Sequence, residues 1–256
     1  MKTEASFTKV GGKPEITITF ENEGHKRITL REGVDYSVKY KNNAKGNLAG
    51  TKDGASCVIK GIGHFKDTLP KKAFTVTKTP LSELKFGTEG KQYKAGKTTA
   101  YYATAPVIFD AEGKQLSSGK DFRIKEYQDS AGKVIQKTDA VSSGTDSITL
   151  ILEGIGGFEG ELPVKCRVSE EALTKISMAS VTRIPVQPYT GDAVTPDIML
   201  SIKGKGTLTE NRNYKILGYY NNVRKGTAMI LVQGIGDYTG TKTITFKIGP
   251  AVLQIP

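Results

Sequence analysis

The chain of 256 residues carries a formal net charge of +11, is 37% hydrophobic, and holds two cysteines, two histidines and no tryptophan. It has no run of 18 or more apolar residues, which excludes a membrane-spanning helix, and Met1-Lys2-Thr3-Glu4-Ala5 lacks the apolar core of a signal peptide. With 29 glycines, 11 tyrosines and two-residue alternation in place of helical periodicity, the composition indicates an all-β protein of one to three domains.

In chain order, Phe7 is followed seven residues later by Pro14, which opens a strand carrying Ile16, Ile18 and Phe20; proline at a strand start removes only an edge donor. Next comes Gly33-Val34-Asp35-Tyr36-Ser37-Val38-Lys39-Tyr40-Lys41-Asn42-Asn43. Tyr36, Val38 and Tyr40 share one face and Ser37 and Lys39 the other, the pattern of a strand buried on one side. Asn42-Asn43 suits a turn, because asparagine tolerates the left-handed region. Ala55, Cys57 and Ile59 then alternate up to Gly61-Ile62-Gly63-His64-Phe65-Lys66-Asp67, and Phe74 and Val76 mark a further strand.

The same order recurs twice. The second copy has Pro106 before Val107-Ile108-Phe109, then Asp121-Phe122, then Ile148, Leu150 and Leu152, then Gly154-Ile155-Gly156-Gly157-Phe158-Glu159-Gly160, then Cys166 and Val168. The third has Tyr189 seven residues before Pro196, then Ile198 and Leu200, Asn213-Tyr214, Asn221-Asn222, Ala228, Ile230 and Val232, Gly234-Ile235-Gly236-Asp237-Tyr238-Thr239-Gly240, and finally Phe246 and Ile248. The nine residues before the glycine motifs are assigned to the cores. Copies two and three carry one extra residue before the second aromatic of the tyrosine strand, which predicts a bulge or a slightly longer edge strand.

A repeat of about 80–90 residues is a whole domain and not a solenoid unit. The reading is three tandem β-sandwich domains, residues 1–78, 79–169 and 170–256, with boundaries near Lys78-Thr79-Pro80 and Ser169-Glu170-Glu171-Ala172. Short linkers predict an elongated, semi-rigid rod. The first copy starts close to Phe7, so its opening strand is expected to be missing or supplied from upstream. The second departs from the pattern in a longer leading segment, residues 91–105, and in an insertion, residues 128–145.

A chemical role is harder to find. A phosphate-binding glycine loop needs a helix after it, but Thr243-Ile244-Thr245-Phe246-Lys247-Ile248 has period two, so the glycine motif reads as a turn or bulge. Asp35 and Asp121 align with Asn213; an Asx hydrogen bond accommodates both residue types, whereas a general base does not survive replacement by asparagine. Tyr36, Phe122 and Tyr214 read as core. His25 and His64 do not recur and read as surface residues. Asp110, Asp129, Asp139 and Asp146 do not form a Ca²⁺-loop spacing. Cys57 and Cys166 fall in strands of different repeats and read as buried free thiols. Without a nucleophile–base pair or a metal spacing, the expectation is a protein that is not an enzyme and uses no cofactor. Residues 1–78 carry 15 basic and 8 acidic side chains, residues 79–169 carry 12 of each, and residues 170–256 carry 10 and 6. The lysines are scattered, which suits solubility, and a basic end can attract anionic cell-wall or sulfated polymers. No basic helix or aromatic RNA-binding signature is present, so nucleic acid is not an expected partner. Tyr93, Tyr101 and Tyr102 stand apart in the second copy. They read either as cover for a longer strand or as a flat patch for sugar or protein, and they are the candidate ligand-binding residues.

Asp35-Tyr36-x-Val38-x-Tyr40-x-Asn42-Asn43, Pro188-Tyr189-Thr190-Gly191, Tyr219-x-Asn221-Asn222, Gly226-Thr227-Ala228, the third glycine motif with Thr241, and Phe246-Lys247-Ile248 together resemble the tandem Ig-like repeats of large surface proteins of Gram-positive bacteria, especially gut Firmicutes. The resemblance covers nearly the whole chain. It is weakest in the second copy, which lacks the Asn-Asn pair and has Cys166 for the usual aromatic. It implies Ig-like β-sandwich modules, an extracellular cell-surface setting, and a segment of a larger protein. It carries no catalytic residue over. The expected function is a non-catalytic stalk or adhesin segment, monomeric and not inserted in a membrane. The alternatives are a host-protein or glycan-binding module centred on the second repeat, and accessory domains of a larger extracellular enzyme.

Overall fold

The computed structural model describes residues 1–44, 54–87, 92–94, 102–104, 106–136, 147–169 and 173–250. The protein is all-β and its strands form several sheets; among the described residues the helical turns are the 3₁₀ turns Leu81–Glu83 and Ile176–Met178. By contact density the chain forms two compact units, Met1–Glu83 with Gly154–Gly160, and Leu84–Glu153 with Glu161–Pro256.

In the first unit, Tyr36–Lys41 pairs antiparallel with Ser56–Gly61, and Glu4–Ser6 lies parallel to Thr75–Thr77. Tyr36 is buried, Val38 and Tyr40 are half-buried, and Ser37 and Lys39 face solvent, as the alternation requires. Ala5, Ala55, Cys57, Phe74 and Val76 form one buried cluster. In the second unit a six-stranded sheet runs in the order Gln92–Lys94, Tyr102–Thr104, Glu161–Ser169, Ser147–Gly154, Phe122–Gln128, Val134–Ile135. A four-stranded sheet runs Gln187–Pro188, Thr241–Gly249, Gly226–Gly234, Tyr214–Tyr220. The bulge expected in the third copy falls between Ile216 and Gly218. All nine residues assigned to the cores are at most 5% exposed, each large aliphatic among them contributing about 1.5–3 kcal/mol by leaving water.

The second unit also buries the outer face of the third repeat's sheet. Val107 and Phe109 cluster with Tyr220, Leu231, Leu217 and Met229, and the Lys85 ammonium lies 5.5 Å from the Tyr220 ring centre. Strand Gly226–Gly234 is therefore covered on both sides, with Ala228, Ile230 and Val232 facing inward and Leu231 facing the second repeat. Gly113 fits there because a Cβ would sit 2.8 Å from the Tyr220 ring.

The glycine motifs are three copies of one corner. Gly61 donates its N–H to Asp67 O (2.8 Å), Gly154 to Gly160 O (2.9 Å) and Gly234 to Gly240 O (2.9 Å). Phe65, Phe158 and Tyr238 each donate to the carbonyl of the preceding isoleucine at 3.2 Å, and Gly63, Gly156 and Gly236 have φ of +65°, +67° and +64°. The first glycine of each motif is needed for close approach of the returning chain. A Cβ would lie 2.7 Å from the Phe65 carbonyl in the first copy, 2.5 Å from the Glu159 nitrogen in the second and 2.8 Å from the Thr239 nitrogen in the third.

Thr79 and Pro80 read as linker, yet they form a strand pairing in parallel with Phe158–Glu159. Thr174–Lys175 pairs in the same way with Tyr238–Thr239. Each pair leads into a 3₁₀ turn that buries one aliphatic completely, Leu81 in one and Ile176 in the other, both 0% exposed. In the first unit Phe7 stacks edge-on against Phe158 at 5.4 Å between ring centres, and Gly157 is the residue beneath it, where any side chain would strike the ring. The strands after Pro14 and Pro196 begin later than the proline signal suggests, at Thr19 and Leu200.

Candidate functional site: an open groove in the first repeat

Several sequence candidates have local structural tasks. Arg31 N–H donates to Asp35 Oδ2 (2.8 Å), Ser117 N–H to Asp121 Oδ2 (2.7 Å) and Thr209 N–H to Asn213 Oδ1 (2.9 Å). Gly33, Gly119 and Asn211 hold the accompanying positive φ at +80°, +83° and +61°. The carboxylates thus close, through the amide four residues earlier, the same turn that a side-chain amide closes in the third repeat. Asn42 and Asn221 take φ of +57° and +54°. The asparagine after each is a clamp: Asn43 Nδ2 donates to Gly12 O and Asn222 Nδ2 to Val194 O, both at 3.0 Å. Asp110 accepts from the Glu112 and Lys114 amides, and Asp129 from those of Ala131 and Lys133, so both shape hairpin turns. Asp139, Asp146, Glu170 and Glu171 lie outside the described residues. Among the described residues no group of three or more His, Cys, Asp or Glu is placed to hold a metal ion.

Cys57 and Cys166 are buried thiols in no disulfide, and burial pushes the Cys57 thiol above its ordinary value. His25 is exposed, with Nδ1 3.2 Å from Glu21 Oε1. On the surface of the second unit Arg123 Nε donates to Glu153 Oε2 at 2.6 Å; this hydrogen bond is the main cause of a lowered Glu153 pKa, opposed by desolvation and aided by the Arg123 and Lys125 charges. Burial raises the Tyr214, Tyr219 and Tyr220 pKa values.

Of the candidate tyrosines, Tyr101 lies outside the described residues. Tyr93 and Tyr102 are placed on neighbouring antiparallel strands, Tyr93 opposite Ala103 and Tyr102 opposite Lys94, one register step apart. This pair of strands extends the sheet of the second repeat through Ala103 and Val168, whereas the corresponding strands Glu4–Ser6 and Gln187–Pro188 run parallel to their partners.

The concavity that sequence reasoning missed is in the first repeat. Ile18, Leu30, Tyr36, Phe65 and Leu69 line a groove of about 360 Å³, with Phe20 at its mouth and His64, Lys66 and Asp67 from the glycine corner on its rim. Phe20 stacks edge-on against Phe65 at 5.4 Å yet stays 44% exposed, and Leu69 is 42% exposed. Matching the hairpins gives the reason. Leu30 N–H donates to Ile18 O as Leu208 pairs with Leu200, and Phe20 faces Ile28 as Ile202 faces Gly206. Leu200, Ile202 and Leu208 are 0%, 6% and 5% exposed because Ile176, Ala179 and the strand Ser180–Val181 cover them. In the first repeat the strand Thr19–Glu21 pairs, among the described residues, only with Arg27–Thr29. The groove can therefore take an apolar side chain together with an extended backbone beside it. Comparison with protein-family models, with curated proteins and with solved structures yields no match.

Proposed function

We propose that the chain is a non-catalytic segment of a bacterial cell-surface protein, three Ig-like β-sandwich modules in series that serve as a stalk or adhesin segment. The observation that carries the reading is the glycine corner, built three times with the same hydrogen bonds and the same positive φ. Aspartates and asparagines that elsewhere serve chemistry are spent here on turns, which suits a load-bearing spacer. The resemblance to Gram-positive surface repeats supplies the extracellular setting. Small-angle scattering tests it: an elongated particle is expected, and a compact globule overturns the series arrangement.

A second reading, a module binding a host protein or glycan, draws on the extra antiparallel strand pair that carries Tyr93 and Tyr102 in the second repeat. A glycan array and a pull-down from host secretions, with Tyr93→Ala, Tyr101→Ala and Tyr102→Ala controls, separate the two. Binding lost in these variants favours the module; no binding by either route favours the spacer.

A further inference from the structure

One sheet face recurs in the three repeats with different side chains on it. In the first repeat Ser37 lies opposite Lys60, Lys39 opposite Val58 and Lys41 opposite Ser56. By alternation these residues point away from Val38, Tyr40 and Cys57, which pack into the core. Lys39, Lys41 and Lys60 are exposed. In the second repeat Arg123, Lys125 and Glu153 match Ser37, Lys39 and Lys60, and Glu161 lies opposite Glu153 as Thr68 lies opposite Lys60. There Arg123 pairs with Glu153 and Lys125 with Glu161. In the third repeat the matching face carries Leu217 and Leu231 and clusters with Val107 and Phe109.

The first repeat thus has a lysine where the second has Glu153 and a threonine where it has Glu161. The strands Tyr36–Lys41, Ser56–Gly61 and Lys72–Ala73 hold no carboxylate. Asp35, just before them, accepts from Arg31, and Asp67 lines the groove together with the inward-facing Tyr36 and Ile59. Among the described residues Lys39, Lys41 and Lys60 enter no ion pair. Like charges on neighbouring positions of a sheet repel, so the face favours an anion laid across them.

We propose that this face binds a linear phosphodiester polymer of a polyol, with poly(glycerol phosphate) as the simplest case, running along the strand Tyr36–Lys41. Spacing is the first reason. Lys39 and Lys41 are two residues apart on one strand, about 6.5–7 Å, and Lys60 places a third cation beside Ser37, one such step further along. A glycerol phosphate unit has as many chain bonds as two residues of extended peptide, so its phosphates recur at about the same 6.5–7 Å. The second reason is that the face has no ring. Its apolar side chains are Val58 and Ala73, and the aromatic Tyr40 points the other way. Nucleic-acid bases stack on aromatic side chains and sugar rings lie on aromatic planes, so those polymers would meet the charges alone. A lysine ammonium is a compact point charge, which suits phosphodiesters of one charge each. The inference does not rest on the stalk reading, because the face belongs to the first repeat alone.

Isothermal titration calorimetry of the full chain with deacylated poly(glycerol phosphate), from about 50 to 200 mM salt, tests it. With three phosphates neutralised, log affinity falls against log salt with a slope of about −2, a loss of roughly tenfold to twentyfold over that range. Lys39→Glu with Lys60→Glu weakens binding by about tenfold or more and flattens the slope. Arg183→Glu with Lys203→Glu, two exposed positions in the third repeat, changes the net charge equally and leaves the affinity within about twofold, since charges off the site add only screened attraction. Circular dichroism establishes that each variant is folded, and Lys39→Gln with Lys60→Gln replaces the charge reversal should that variant unfold. No binding, equal losses in the two double variants, or single-stranded DNA or heparin of matched charge binding as tightly as poly(glycerol phosphate) overturns the proposal.

Discussion

Replacing Gly234 by alanine tests the reason for the glycine corner. Strand Gly226–Gly234 ends there and the chain returns over it at Thr239. An added Cβ would stand 2.8 Å from the Thr239 nitrogen and 3.0 Å from the Tyr238 carbonyl carbon, against an ordinary contact of 3.4 Å or more. These are backbone atoms, so no flexible side chain can swing aside. The corner has to open at the point where Gly234 N–H reaches Gly240 O at 2.9 Å. Overpacking of this kind costs about 1–3 kcal/mol, and the weakened hydrogen bond adds about 1 kcal/mol. The expected destabilisation is therefore about 2–4 kcal/mol, with matching effects for Gly61→Ala and Gly154→Ala. Urea unfolding followed by circular dichroism reads it, the chain having no tryptophan to report. A loss below about 0.5 kcal/mol at Gly234, within the range of an ordinary surface change, would refute the steric account.

Gly119→Asn should be tolerated far better than Gly119→Ala, since Asn211 holds the equivalent positive φ in the third repeat; the two urea midpoints decide it, and the alanine cost should be about 1–2 kcal/mol. Asn222→Ala should cost about 1–2 kcal/mol through loss of its bond to Val194 O, read by the same titration. Tyr220→Phe should be neutral or stabilising, because the Tyr220 hydroxyl is buried with no hydrogen-bond partner among the described residues; a clear loss of stability in urea would contradict this. Glu153 has its folded pKa lowered below 4.5, so the contribution of its pair with Arg123 is present above that ordinary value and is lost as the pH falls through the folded one. Between those values wild type should lose its small advantage over Glu153→Gln, and added salt should shrink the difference. Cys57 and Cys166 should resist a thiol reagent until urea unfolds the chain, as both are buried.

The residues that were legible in the sequence are those whose task is local. Ala228, Ile230 and Val232 alternate, so period two alone puts them inside. Asp35, Asp121 and Asn213 share a position and differ in charge but not in acceptor geometry, which pointed to a side-chain hydrogen bond with nearby backbone; the donor is the amide four residues earlier and not the one two residues on that an Asx turn uses. What was not legible depends on partners distant in sequence. Thr79 and Pro80 are too short a strand for any period to show, and only Phe158 on the far side of the second repeat makes them one. The second-repeat cover over Leu231 and Tyr220 had a signal in the unbroken run Ala228-Met229-Ile230-Leu231-Val232, apolar on both faces, but the run does not say what lies opposite. Ile18, Phe20 and Leu30 have the pattern of core residues, yet Phe20 is 44% exposed and Ile18 and Leu30 are only half-buried, which no property of those residues encodes.

The proposal on which the rest depends is that one module was copied in series, each copy folding as a block of its own. Pulling the whole chain by its ends in a force spectrometer tests it most directly. Three unfolding steps are expected, each releasing roughly 25–30 nm of contour from 78–91 residues. A single step releasing roughly 80–90 nm would mean one cooperative core, and would contradict the account.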